Sequence, residues 1–249
     1  MALVSPACLR SGADRADLML SHPVYARAMR VASAVGTAIL LRGIAIWTRR
    51  HALRVGLKVV ARRTIDRHAP GYRKLARRLR ARRANCVAYG GITANNAVRL
   101  FRDLARGLPR ARLFGSDGIA ESGFSDPREG GVPAKVGRRV LVTVATLAPF
   151  AYPAQVQDFF RRYSERYGEP NPDPYAIYGY DAMRLVLEAV AAVGPSRQAV
   201  IEWLRDMPTR AGALGTYRFD RYGDTTLRSY GVYRVRHGAL WWAGAVEAP

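Results

Sequence analysis

The chain has 249 residues, 49% hydrophobic and 24% charged, proportions that exclude a disordered or collagen-like chain and allow one large domain or two small ones. Its formal net charge is +21, carried almost wholly by arginine, since Lys58, Lys74 and Lys135 are the only lysines. The two cysteines, Cys8 and Cys86, and four histidines show no metal-ligand spacing, which argues against a structural zinc site.

The charge is uneven. Residues 1–83 hold 19 basic and 3 acidic side chains, whereas residues 84–249 hold 21 and 16. The excess therefore sits in the part with least pattern. Residues 1–42 form an unassigned segment. Within it Val31 to Leu41 is apolar but too short to span a bilayer, and reads as a buried or partly exposed helix. It lies too far from Met1 for a signal-peptide core, a leader starting at Met29 would lack a good cleavage site, and Cys8 has no leader before it to make a lipoprotein site.

From residue 43 the pattern becomes regular. Ile44 to Arg54 reads as a helix and Gly56 to Ala61 as a short buried strand. Pro70 to Arg82 is a helix, with Tyr72, Leu75, Ala76 and Leu79 at spacings of three and four; its arginines, running on to Arg83, read as a solvated face. Asn85 to Tyr89 is an apolar strand halted by Gly90-Gly91, with Cys86 a small buried side chain. Asn95 to Leu104 is the next helix, and Ala111 to Phe114 a strand ended by Gly115-Ser116-Asp117-Gly118. This alternation predicts parallel βαβ units, hence an α/β fold.

Val140 to Thr146 is a further strand. Pro153 to Tyr167 and Tyr175 to Val193 are helices separated by the breaker run Gly168 to Pro174. Ser196 is expected to cap a helix reaching Arg205. Tyr217 to Phe219, Tyr230 to Val235 and Ala239 to Ala243 are strands joined by turns at Asp220 to Asp224 and His237-Gly238.

In open α/β sheets ligands bind at the carboxyl ends of strands. Two such ends carry glycine turns here, Tyr89-Gly90-Gly91-Ile92-Thr93 and Phe114-Gly115-Ser116-Asp117-Gly118. Asp117 offers a charge for an ammonium group, and Tyr89 a hydroxyl or an aromatic face. The plainer alternative makes Asp117 a turn residue and Tyr89 a packing residue.

The YGG turn, then one helix later the GSDG turn, then VGRRVLVTVAT, YAIYGYDAM and LGTYRFDRYGD follow one another in an order that resembles the branched-chain amino acid (Leu/Ile/Val-type) solute-binding proteins of ABC importers, over about residues 43–245. The resemblance implies a type I periplasmic binding protein fold with two lobes hinged about a cleft. It implies a binding module and not an enzyme, no cofactor, an amino acid or amide as ligand, ABC permease subunits as partners and a periplasmic location. Asp117 then takes the place of the acidic residue that binds the α-ammonium, where many members have the longer Glu. Tyr89, Gly90, Gly91, Ile92 and Thr93 take the place of the ligand contacts around the YGG turn. One nearly complete lobe is expected over residues 43–150, a helical part of the other over 151–212, and returning strands over 213–249. The opening part of the first lobe, which supplies hydroxyls for the ligand carboxylate, has no counterpart, and an N-terminally truncated relative is the expectation.

Two other readings compete. A basic nucleic-acid-binding protein would account for the charge, but the arginine-rich helix has no interleaved aromatics beyond Tyr72. An α/β enzyme would need a catalytic constellation, and no GxSxG, P-loop or HExxH occurs.

Overall fold

The computed structural model describes residues 2–5, 46, 48–50, 52–169, 172 and 175–247. The expected helix at 31–41, the start of the helix at 44, Met29 and Cys8 lie outside these residues, as does most of the breaker run at 170–174. The described residues divide into two compact units. Unit 1 comprises 1–145 and 229–249, and unit 2 comprises 146–228.

Unit 1 is built on a seven-stranded sheet in the order β2-β1-β3-β4-β5-β8-β9. The strands are β1 (Ala2–Ser5), β2 (Ala61–Arg63), β3 (Cys86–Tyr89), β4 (Arg112–Gly115), β5 (Val140–Val144), β8 (Ser229–Arg236) and β9 (Ala239–Glu247). The centre β3-β4-β5 is parallel, as the βαβ alternation requires. Antiparallel strands flank it: β1 on β3 at one side, and β8 on β5 followed by β9 on β8 at the other. Residues 2–5 thus occupy a sheet position that no sequence pattern indicated. The strand expected over residues 56–61 does not form there: Gly56 lies in a turn, residues 57–60 carry no ladder, and the strand is instead Ala61–Arg63, sharing only Ala61 with the expected one and paired antiparallel with β1.

Two helices cover one face of this sheet, α1 (Arg73–Ala81) and α2 (Ala97–Gly107). Both are amphipathic at the helical period. Ala76 and Leu79 of α1 and Ala97, Leu100, Phe101 and Leu104 of α2 join Val87, Tyr89, Leu113, Val140, Val142 and Val144 in a single core. Each fully buried Leu, Val or Phe here contributes about 1.5–3 kcal/mol. The arginines of α1 at 77, 78 and 80 point to solvent, while Tyr72 is buried with its hydroxyl donating to the Asp66 carbonyl at 2.6 Å.

Polar locks fix the ends of the helices. The Tyr72 N–H, at the start of α1, donates to the buried Asp103 carboxylate on α2 at 2.6 Å. The Arg139 guanidinium donates to the carbonyls of Ala105 (2.9 Å) and Ala111 (2.6 Å) and to that of Leu108, closing the carboxyl end of α2, where the helix dipole favours a cation. Beyond β4 come two one-turn helices, α3 (Ser122–Ser125) and α4 (Ala134–Gly137). The β8–β9 hairpin turns at His237 (φ 50°) and Gly238 (φ 80°), the paired left-handed geometry that matches the twist of a two-residue hairpin. Ser125 Oγ donates to the Gly238 carbonyl at 2.9 Å and ties that turn to α3.

Unit 2 contains α5 (Ala154–Tyr167), α6 (Ala176–Val193), α7 (Arg197–Asp206) and a small hairpin of β6 (Arg210–Gly212) and β7 (Gly215–Tyr217). The Ser196 hydroxyl accepts the Ala199 N–H at the start of α7, as expected of an N-cap. Tyr152, Val156, Phe159, Phe160 and Ile177 form one cluster, and Leu185, Met207 and Tyr217 another. The buried stripe of α6 runs Ile177, Asp181, Leu185, Ala189, so an acid stands inside an apolar row. Asp181 accepts from the Tyr217 hydroxyl (2.6 Å), the Ala213 N–H (2.7 Å) and Arg210 Nη1 (3.0 Å). Burial opposes ionisation of Asp181, and these hydrogen bonds with the Arg210 charge outweigh it, holding the carboxyl below its ordinary range. Among the described residues no helix is long and apolar enough to cross a membrane.

Candidate functional site

The two glycine-bordered loops lie wholly within unit 1. β3 and β4 are parallel neighbours with Tyr89 opposite Gly115, so the strands end at one level and their loops emerge side by side. The Ser116 N–H points to the Tyr89 carbonyl at 3.4 Å. Past this contact the loops close on each other. A Cβ added at Gly118 would stand 2.6 Å from the Gly91 carbonyl oxygen and 2.9 Å from Ile92 Cγ2, so only glycine permits this approach. Thr93 Oγ1 reaches the Gly118 carbonyl at 3.5 Å, a long contact on the same seam.

The structure brings the expected site residues together but gives them different roles. Tyr89 is 2% exposed and belongs to the core. The strand pleat places it on the same face as Val87, its ring meets Phe101 edge-on at 5.7 Å, and its hydroxyl donates to the Ile92 carbonyl at 3.0 Å. Burial pushes its phenol pKa well up. Tyr89 is therefore a brace for the first loop, with its polar end spent inside that loop. Gly91 must be glycine because a Cβ there would meet the Tyr89 ring at 2.3 Å. Gly90 and Gly91 are buried as residues.

Ile92, Thr93 and Asp117 are half-buried and form the accessible part of the pair. Thr93 opens a 3-10 turn, Thr93–Asn95, and Asp117 opens another, Asp117–Ile119. Asn96 then takes the left-handed conformation (φ 63°) and donates its side-chain amide to the Ala69 carbonyl at 3.0 Å, which turns the chain into α2. Ile119, Phe101 and Phe124 fill the space beneath the second loop, all at most 1% exposed. These supports were not singled out from the sequence, although Phe101 stands four residues after the buried Ala97 on the inward stripe of α2. The result is one carboxylate and one hydroxyl on two adjacent loops whose spacing is set by glycine. Among the described residues no group of His, Cys, Asp and Glu side chains is placed to hold a metal ion.

Tyr72, the aromatic neighbour of the arginine-rich helix, lies in the core and is not placed to stack on a base.

Several known proteins are similar to this chain in sequence or fold. An amino acid binding protein of Pseudomonas aeruginosa is 28% identical over 198 residues, which make up 77% of this chain and 49% of that protein. A leucine binding protein, LivK, from Thermotoga maritima superposes with a TM-score of 0.71 at 19% identity, covering 82% of this chain and 56% of that one. The branched-chain amino acid transporter substrate binding protein LivJ of Streptococcus pneumoniae, solved with isoleucine, gives a TM-score of 0.70 at 15% identity over 93% of this chain and 64% of that one. The fold is thus that of type I periplasmic binding proteins, and the chain spans about half the length of the curated relative it matches. The pattern of the periplasmic binding protein family matches residues 40–239, and the chain belongs to that family.

Proposed function

We propose that this protein acts as a solute-binding component of an ABC importer and takes an amino acid or related amide at the loop pair closing β3 and β4. Asp117 accepts the ligand's α-ammonium, Thr93 and the backbone of Gly91 and Ile92 line its approach, and Tyr89 with Gly90 holds the first loop in shape. The proposed working place is extracytoplasmic, and the proposed partners are the importer's permease subunits. No bond is made or broken, and no cofactor is required.

The observation that carries this reading is the seam between the loops. An acid and a hydroxyl from two separate turns stand on strand ends at one level, held together by a Gly118–Gly91 approach that tolerates no side chain. The amino acid binding relative and the isoleucine complex of a structural neighbour support the ligand class.

The test is an amide-resolved NMR titration of the full chain with leucine, valine, aliphatic amides and urea. Saturable shifts are expected at Gly91, Ile92, Thr93, Asp117 and Gly118 with leucine or valine, at an affinity on the order of 1 mM. In Asp117→Asn the affinity they report should fall by about ten-fold or more. Shifts confined to other residues, an unchanged affinity in Asp117→Asn, or no response to any of these solutes would overturn the assignment.

A further inference from the structure

The opposite end of the same strands carries a second concavity. It has a volume of about 300 Å³ and is lined by Pro109, Ala111, Val140 and Leu141 together with five arginines, at 110, 112, 138, 139 and 234. No acidic side chain contributes to the lining. Arg110 and Arg138 stand on the loops entering β4 and β5, Arg112 begins β4, and Arg234 comes from β8, where it pairs across the ladder with Leu141. Three sequence-distant stretches therefore converge on one space.

The rim is built, not loose. The Leu113 N–H donates to the Arg139 carbonyl at 3.1 Å and the Arg112 N–H to the Asn85 carbonyl at 3.0 Å, joining the two entry loops to each other and to the sheet. The Arg139 guanidinium is spent on the carbonyls of Ala105, Leu108 and Ala111, so it fixes the loop at 108–111 while leaving its charge beside the cavity. Among the described residues, Arg110, Arg112, Arg138 and Arg234 form no ion pair with a carboxylate. Arg128 pairs with Asp126, Arg161 with Asp158 and Glu165, and Arg210 with Asp181 and Glu188, whereas Arg77 and Arg78 on the exposed face of α1 also form no ion pair among the described residues, so what distinguishes the cavity is the convergence of its arginines on one space.

Like charges gathered in one concavity repel, and a wall of low polarity beneath them strengthens the field that they project into it. A multivalent anion removes the repulsion and supplies acceptors for planar guanidinium forks, which match phosphate oxygens two at a time. We infer that this arginine-lined cavity at the amino ends of β4 and β5 is a binding site for a small soluble oligophosphate anion. The size suits two or three phosphoryl groups, and the apolar floor of Val140 and Leu141 leaves room for a compact organic substituent. The site is separate from the loop pair at the carboxyl ends of β3 and β4, so it stands whether or not that pair binds an amino acid.

The experiment is calorimetric titration of the full chain with tripolyphosphate at about 0.15 M salt, where long-range attraction between exposed charges is screened. Saturable one-to-one binding is expected. The double variant Arg112→Gln/Arg234→Gln should weaken it by about ten-fold or more. The double variant Arg77→Gln/Arg78→Gln, which removes equal charge from the exposed face of α1, should change it by less than about two-fold. Equal loss in both variants, or no saturable binding, would overturn the site. So would binding confined to phosphatidic acid vesicles or to single-stranded oligonucleotides, which would identify a surface that reads a membrane or a polymer and not a free anion.

Discussion

Gly118 packs directly on the carbonyl oxygen of Gly91, so closely that a Cβ would stand 2.6 Å from it. Neither atom can yield without moving backbone, and both backbones are anchored by the parallel pairing of β3 with β4. The seam is therefore a fixed spacing between the Thr93 and Asp117 turns. Gly118→Ala must part the loops. The expected cost is about 1–3 kcal/mol of stability, with loss of leucine-induced shifts at Thr93 and Asp117. Gly123→Ala, at a position with nothing within 4 Å and no positive φ, should stay within about 0.5 kcal/mol in urea unfolding. If the two variants unfold alike, the loops are not held as described.

Asp117 is the charge beside that seam. Asp117→Asn keeps the volume and an acceptor oxygen but removes the attraction for an ammonium group. Affinity for leucine should fall by about ten-fold or more, with the thermal midpoint moving by no more than a few degrees, since the residue is half-buried at a turn. Calorimetry on the variant against wild type, paired with a melting curve, separates loss of binding from loss of fold.

Much of this site was legible because its signals are local. A short strand leading into a glycine turn stands on either side of the amphipathic helix α2, and β3, α2 and β4 each form within two or three residues of their expected bounds. The direction of Tyr89 was open from composition but follows from the pleat, which sends it with Val87 toward the core. What was not legible depends on distant partners. β1 is four residues whose only mark is backbone pairing to strands more than fifty positions away. β6 is a three-residue strand defined by its turn with β7. Asp103 and Asp181 look like solvent-facing acids in the text, yet each lies on the inward stripe of a helix, and only the folded chain reveals the donors that meet it.

Asp103 illustrates what such a buried acid does. It is 2% exposed and accepts the Tyr72 N–H, while the ion pairs with Arg73 and Arg99 are long, at 3.8 Å, and their arginines largely solvated. The hydrogen bond should therefore outweigh the charge pairs. Asp103→Ala leaves the buried Tyr72 N–H, just before α1, without its acceptor and should cost about 1–3 kcal/mol. Asp103→Asn, which keeps an acceptor, should recover much of that in urea denaturation. Equal destabilisation by both variants would show that charge, not the acceptor, matters.

Asp181 makes the stability of unit 2 depend on acid. Its carboxyl pKa is depressed in the folded chain by the Tyr217, Ala213 and Arg210 donors, which outweigh the opposing effect of burial. The unfolded chain has the ordinary carboxylate value of about 3.9. Between the two values the unfolded state binds the proton and the folded state does not, so the Asp181 contribution is complete above that ordinary value and is lost as pH falls through the depressed one. Arg210 keeps its charge throughout, its own pKa raised by Glu188 and Asp181. Urea midpoints followed by the unfolding of unit 2 should thus fall as the pH drops below the ordinary carboxylate value of about 3.9. In Asp181→Asn that acid limb should flatten, on a protein already weakened at neutral pH, because the amide cannot match the charge of Arg210 and turns an N–H toward one of the three donors. An acid limb of unchanged slope in Asp181→Asn would place the titrating group elsewhere.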